Sequence, residues 1–358
     1  MEFNIFSNGY LLWTIFGLFV GLALAIDLGI MGKAITLIKK KDKTRSPSNS
    51  LPKDNTEYSV ALPTKPQSRQ LFKQALIWTI VWISLAVIFA GLILVGMGYD
   101  KMLEFVTGYT LEKSLSIDNM FVFLLIFSSL VIPHAYQHKV LSVGIISAIA
   151  MRIPLILVGV SLLESFHWMI YIFGGMLLLT AIRMLLQKKE KKIELEKNIA
   201  VRLMRKVLPI DLEVRGDKFF TRKNAVLFAT PMLVALVIVE VTDLVFAIDS
   251  IPAVLAITAD PFIVITSNVF AILGLRSLYF LLAGLMEKFY YLKPGLIALL
   301  LFIGIKMVMS DFYKIPIGVS LAVIFGILGT AMALSFIRAR RLDGEEADEI
   351  APKNELSK

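Results

Sequence analysis

Acidic side chains recur inside long apolar stretches of this sequence. Glu112, Asp118, Glu240, Asp243 and Asp249 all lie in such stretches. A charged side chain at the centre of a bilayer costs about 2.5–3.5 kcal/mol on insertion scales. Several of these costs in one chain indicate either a function for the carboxylates or partners that compensate them.

Neighbouring residues add further oxygen atoms to these acids. Asn119 directly follows Asp118, and Ser250 directly follows Asp249. Carboxylate, amide and hydroxyl oxygens suit Mg²⁺, Ca²⁺ and Mn²⁺, whereas thiolate and imidazole suit zinc and copper. The chain has no cysteine, and its three histidines lie between the apolar stretches. The sequence therefore predicts a site for a hard divalent cation, without a permanent cofactor. The candidate ligands are Asp118, Asp249, Glu112, Asp243, Glu240, Asn119 and Ser250.

Basic residues in the same stretches support a second interpretation, in which the acids form buried ion pairs. Arg152, Arg276 and Lys306 could serve as the partners. Because buried pairs rarely gain stability over apolar packing, they give the chain little reason to keep so many acids. Asn268 could be a further oxygen ligand, or could form a hydrogen bond between two helices.

The elements that must position these residues are membrane-spanning helices. The chain is 57% hydrophobic, whereas soluble domains are about 45–50% apolar. The excess lies in runs of about 20 residues that do not alternate with polar ones, the length an apolar helix needs to cross a bilayer. We predict an all-α, polytopic membrane protein. Its nine predicted spans are residues 10–32, 74–98, 106–131, 139–163, 167–187, 225–257, 261–285, 293–310 and 315–337.

Basic segments between the spans predict the orientation. They all fall on one side only if the N-terminus is outside and the C-terminus is cytoplasmic, in a bacterial inner membrane. The net charge of +9 is then a property of cytoplasmic loops and not a sign of nucleic-acid binding. We also expect a solvated or interfacial helix in 188–206 and a small hairpin in 209–222, turning at Gly216 and Asp217.

The predicted organisation follows from the spans and loops. It comprises a first transmembrane helix in 1–38, a disordered basic linker in 39–72, a second helix and outside loop in 73–105, repeat 1 in 106–187, a cytoplasmic loop in 188–224, repeat 2 in 225–312, a last helix in 313–341 and a mobile tail in 342–358.

The two predicted repeats are related in sequence. Glu112 precedes Asp118 by the same spacing with which Asp243 precedes Asp249. Further matched pairs are Arg152 with Arg276, Glu164 with Glu287, and Arg183 with Lys306. Because each unit holds three spans, the second must enter the membrane from the opposite side. Such inverted 3+3 repeats are common in secondary transporters, whose substrate sites lie near the midplane between the repeats. Alternatively, the duplication merely built a helical bundle.

Helical geometry limits how the acids can meet. In an unbroken helix, Asp118 and Asp249 lie about 120° away from the stripes that carry Glu112 and Asp243. The two groups of acids would converge only if their helices bend. Pro252 lacks an N–H group and predicts a bend in the second repeat.

At these motifs the chain resembles the TerC family of bacterial membrane proteins. The matching stretches are 111–119, 239–253, 260–279 and 216–220. The resemblance implies manganese export, linked in some members to alkaline pH and to metallation of secreted proteins. It also implies that the family's essential intramembrane acids fall on Glu112, Asp118, Glu240, Asp243 and Asp249. The polar linker after the first span departs from typical members.

Three functions compete at this point, and none of them is enzymatic. The first is an Mn²⁺ exporter whose partners are the ion and the lipid bilayer. The second is a membrane factor for assembly or metallation of membrane and secreted proteins, working with a protein-translocation partner. The third is a tellurite-resistance component, which an acidic site disfavours because oxyanions are bound by helix N-termini or arginine clusters. No Walker-type loop supports ATP-driven pumping by this chain alone.

Overall fold

The computed structural model describes residues 9–44, 65–186, 199–212, 217–223, 225–283, 291–313 and 315–350. Within these ranges the protein is almost entirely helical, with one small antiparallel hairpin. The elements are α1 Gly9–Thr44, α2 Lys65–Met97, α3 Tyr99–Ser129, α4 His134–Ser165, α5 Met169–Leu186, α6 Ile199–Val207, β1 Phe220–Lys223, β2 Val226–Ala229, α7 Pro231–Leu255, α8 Pro261–Leu273, α9 Leu275–Ala283, α10 Leu292–Val308 and α11 Ile317–Ile350.

Five of the described helices are long and apolar enough to cross a membrane. The bent pair α8–α9 would make a sixth span. The chain is therefore a helical membrane protein. The predicted count of nine is higher for identifiable reasons. α3 carries Glu112, Lys113 and Asp118 within seven residues, and α10 has only 17 residues. In α1 the apolar stretch that the structure describes is Tyr10–Ile26.

The ends of several elements differ from the prediction. α1 extends to Thr44 and α2 begins at Lys65, so helix covers both ends of the predicted linker 39–72. Likewise, α11 continues through 342–350, which we expected to be a mobile tail. The described hairpin turns between Lys223 and Val226, whereas the turn predicted at Gly216 lies outside the described residues. Of the helix predicted in 188–206, α6 represents the described part.

The first helix of each predicted repeat packs against the second helix of the other. α3 lies along α8, and α7 lies along α4 to a similar extent. α5 and α10 form the most extensive helix pair in the described part of the molecule. Their axes approach closely at Gly174 and Gly304, where an added Cβ would lie 3.2 Å and 3.1 Å from the opposite carbonyl oxygen. Small residues permit this close packing of helices in membranes.

The second span of repeat 2 is broken. α8 begins with Pro261 after the N-cap Asp260, whose carboxylate accepts a hydrogen bond from the Phe262 amide at 3.0 Å. It ends before Gly274, and α9 continues at an angle of 43°. The Lys113 ammonium group donates to the Ala271 carbonyl at 3.1 Å, beside this break. α7, by contrast, continues through Pro252 as one helix.

Candidate functional site

Arg152 is the centre of a buried cluster of charged side chains. It projects from α4 and is only 1% exposed. Its Nη1 atom donates to Oε1 of Glu112 on α3. Its Nη2 and Nε atoms donate to the two carboxylate oxygens of Asp243 on α7, at 2.9 Å and 3.2 Å. The guanidinium thus binds Asp243 with two parallel hydrogen bonds, the geometry that suits an arginine–carboxylate pair.

Two uncharged side chains complete the cluster. Arg152 Nη1 also donates to Oδ1 of Asn268 on α8 at 2.9 Å. The Asn268 amide donates to Oε2 of Glu112 at 3.2 Å, and the Ser250 hydroxyl lies 3.4 Å from Oε1 of Glu112. Helices α3, α4, α7 and α8 therefore meet at one point. Oxygen atoms from Glu112, Asp243 and Asn268 contact a single cation, and Ser250 contacts Glu112.

The cluster carries one more negative than positive charge when all three groups are ionised. An arginine keeps its proton in proteins, so Arg152 remains the fixed cation between the two acids. Removing one partner of such a buried pair costs about 3–5 kcal/mol, because the other charge is left uncompensated. The sequence named Arg152 as a candidate partner, and the structure identifies which acids it joins.

Glu240 lies beside this cluster, next to a cavity of about 20 Å³. Its Oε1 atom accepts a hydrogen bond from the Ser147 hydroxyl at 2.5 Å, and its buried Oε2 atom has no hydrogen-bond partner among the described residues. Asp243 and Arg276 also line the cavity. A volume of this size is enough for one water molecule. Glu240 thus borders the Arg152 cluster without joining it.

Asp249 points to a different part of the molecule. Its carboxylate accepts a hydrogen bond from the Thr180 hydroxyl of α5 at 3.0 Å, and the side chain is only partly buried. This separation from Asp243 follows from the angle of about 120° between the two positions on a continuous helix. Asn119 is buried on α3. The side chain of Asp118 lies outside the described residues, so the predicted pairing of Asp118 with Asp249 stays a prediction.

The structure also includes residues that we did not single out from the sequence. Ser147 binds Glu240 and Thr180 binds Asp249. Thr180 could have been singled out from the sequence, because it lies one helical turn before Arg183 and therefore on the same face of α5. Among the described residues, no group of three or more histidine, cysteine, aspartate or glutamate side chains is arranged to hold a metal ion.

The fold and the buried charge cluster define a helical integral membrane protein with a polar centre. The model of the Integral membrane protein TerC family matches residues 97–343. The chain belongs to this family, as its motifs suggested.

Relatives align over most of the chain. An uncharacterized membrane protein of Myxococcus xanthus is 45% identical over 96% of this chain and 96% of its own. The "Putative membrane-bound redox modulator Alx" of Photorhabdus laumondii is 40% identical over 91% of this chain and 94% of its own. The Escherichia coli (strain K12) protein of that name is 47% identical over 72% of this chain and 82% of its own. No solved structure matches.

Proposed function

We propose that this protein exports a hard divalent cation, Mn²⁺ in the first instance, through a site between two inverted repeats. The observation that carries the proposal is the meeting of Glu112 and Asp243. These acids occupy equivalent positions in the two sequence repeats, and both contact one buried cation, the Arg152 side chain. A transporter with inverted repeats requires its substrate site at such a junction.

The packing of the helices supports the inverted repeat. If the second three-helix unit enters the membrane from the opposite side, the first helix of each unit should contact the second helix of the other. The pairs α3 with α8 and α7 with α4 have this reciprocal arrangement. The proposal includes nine spans, an outside N-terminus and a cytoplasmic C-terminus in the bacterial inner membrane. In this arrangement α3 and α10 cross the membrane shielded by the other helices.

The contacts of Arg152 suggest how a cation could be bound and released. Glu112, Asp243 and Asn268 present oxygen atoms to the guanidinium, and the Ser250 hydroxyl donates to Glu112 beside it. A divalent cation takes the same donors, so it binds when Arg152 moves away from them. When the ion leaves, Arg152 returns between the two acids and compensates one of their two negative charges. The protein then has a stable ion-free state in which the two acids are not left as unpaired buried charges.

The oxygen ligands of the proposed site favour Mn²⁺ over softer metals. The proposal includes no permanent cofactor and no enzymatic step. Carboxylate, amide and hydroxyl oxygens are hard ligands, and a chain without cysteine offers no thiolate. Mg²⁺ is also a hard cation, but it gives up its water molecules reluctantly. A largely dehydrated site should therefore bind Mn²⁺ more tightly than Mg²⁺.

Transport can be measured with the purified protein in liposomes that contain a fluorophore quenched by Mn²⁺. We expect the wild-type protein to accelerate quenching and Asp243→Asn to abolish the acceleration. Glu164→Gln is the matched control, because Glu164 is an exposed acid at the end of α4, and it should transport normally. If the wild-type protein, folded and correctly inserted, moves no Mn²⁺, the transport proposal is wrong.

The name of the Photorhabdus laumondii and Escherichia coli relatives, membrane-bound redox modulator, favours a second candidate, a membrane protein that influences redox state. This chain has no cysteine, so thiol–disulfide exchange by its own side chains is excluded. Such a role would have to act through another protein or through the supply of a metal ion. The assembly or metallation factor belongs to the same class. In the liposome assay it would give no flux, and cells lacking it would still show a defect in their secreted metalloproteins.

A further inference from the structure

The short helix α6 has three distinct faces. Ala200 and Val201 are buried and belong to the core around α7, with Met204 partly buried beside them. Leu203 and Val207, one helical turn apart, are 64% and 85% exposed. They border the buried face, so α6 presents an apolar stripe that no described part of the protein covers.

Basic side chains occupy the remaining face of α6. Arg202, Arg205 and Lys206 are all exposed. At 100° per residue, Lys206 lies about 60° from Leu203 around the helix axis, and the two arginines lie farther round. The order around the helix is therefore core, apolar stripe, basic face. Helices that lie in a membrane interface have this combination of an apolar and a basic face.

Hydrogen bonds hold α6 next to the point where α7 begins. The segment after α6 pairs with the end of β2: the Asp211 amide donates to the Ala229 carbonyl at 2.9 Å, and the Ala229 amide donates to the Pro209 carbonyl at 2.8 Å. Only Thr230 separates Ala229 from Pro231, the first residue of the spanning helix α7. α6 therefore lies beside the first turn of α7, a helix long and apolar enough to cross a membrane.

We propose that α6 is a lipid-binding element, with Leu203 and Val207 in the acyl-chain boundary and Arg202, Arg205 and Lys206 on the headgroups of anionic phospholipids. A lipid is favoured over another occupant for two reasons. The apolar stripe of α6 lies beside the end of the apolar helix α7, and the adjacent basic face has the charge opposite to that of anionic headgroups. Each basic residue at an anionic surface is expected to strengthen binding about five-fold. This inference requires only a membrane protein and is independent of the transported ion.

The absence of cysteine allows a direct test. Nitroxide labels are attached to the single-cysteine variants Leu203→Cys, Val207→Cys and Arg205→Cys of the full chain in phosphatidylglycerol-containing liposomes. Labels at 203 and 207 should be accessible to molecular oxygen and protected from a water-soluble nickel chelate, and the label at 205 should show the reverse. Equal access of the chelate to all three labels would overturn the proposal. Protection of 203 and 207 from both reagents would indicate a protein partner and would also overturn it.

A second measurement tests the headgroup contact. In native mass spectrometry, Arg202→Gln/Arg205→Gln/Lys206→Gln should bind phosphatidylglycerol up to about 100-fold more weakly than the wild-type protein, if the three contributions add. The matched control removes the same charge from the end of α1, at Lys39, Lys40 and Lys41. If both triple variants lose the lipid equally, the effect is a general attraction to positive charge and α6 is not a specific site.

Discussion

The substitution Arg152→Gln tests the buried cluster most directly. Arg152 is the only described cation in contact with Glu112 and Asp243, and all three side chains are at most 7% exposed. Removing one partner of a buried pair costs about 3–5 kcal/mol. At roughly 2.1 cal/mol/K of unfolding entropy per residue, about 1 kcal/mol corresponds to roughly 1.3 °C in the melting temperature of a 358-residue chain. We therefore expect the variant to melt roughly 4–7 °C lower in buffer containing a chelator.

The same variant should be stabilised by the transported ion. Without the guanidinium, two carboxylates face each other, and a divalent cation can take the vacated position. A ligand at 100 times its dissociation constant stabilises the folded state by about 2.7 kcal/mol, which would restore a large part of the loss. Mn²⁺ should therefore raise the melting temperature of Arg152→Gln more than that of the wild-type protein, because Arg152 competes for the same oxygens in the latter.

Thermal unfolding of the detergent-purified protein, followed by intrinsic fluorescence with chelator, Mn²⁺ or Mg²⁺, measures both effects. Arg183→Gln is the control, since Arg183 is exposed on α5 and exposed ion pairs contribute at most about 1 kcal/mol. Two results would refute the reasoning. A wild-type melting temperature in Arg152→Gln would show that the cluster does not need its cation. An equal Mn²⁺ shift in both proteins would show that the ion binds elsewhere.

Three other predictions concern the acids, the topology and the packing. Asp118→Asn and Asp249→Asn should leave the amount of protein in the membrane normal but abolish manganese tolerance in an exporter-deficient strain; wild-type tolerance in both would exclude them from the site. A reporter fused to the C-terminus should lie in the cytoplasm and one inserted in 258–261 outside, whereas a periplasmic C-terminus would contradict the nine-span topology. Gly304→Leu should lower the melting temperature by several degrees, because its side chain would meet a backbone carbonyl; Gly326→Leu, in open space on α11, should not.

The types of residue in the Arg152 cluster could be predicted from the amino-acid sequence, whereas the contacts between them could not. The cost of buried charge selected Glu112, Asp243 and Arg152 without any knowledge of the fold, because each lies within a long apolar stretch. The position of Asp249 against Thr180 depends on which helix packs beside that stripe. The spacing of residues along one helix determines which of them share a face. It does not identify the helix that packs against that face.

The break between α8 and α9 shows why some features were missed. Pro252 predicted a bend within α7, which continues to Leu255 as one helix, whereas the observed break in the second repeat lies at Gly274. At Gly274 the reason for glycine is tertiary: an added Cβ would lie 2.6 Å from Lys113 Nζ and 3.2 Å from Trp82 Cβ. An isolated glycine in an apolar helix is common. Its significance emerges only when the side chains from α3 and α2 are in place.

The unequal positions of Arg152 and Arg276 follow from the chemistry of the cluster. These arginines are equivalent in the two sequence repeats, but Arg152 contacts both Glu112 and Asp243, whereas Arg276 donates to Ser142 and lines the cavity beside Glu240. The two acids meet where the repeats join, and one guanidinium occupies the space between them. The two sequence repeats therefore differ in arrangement at their arginines, although their sequences are related. The proposed transport mechanism requires such an inequality, because two halves of a transporter cannot open to opposite sides of the membrane at once.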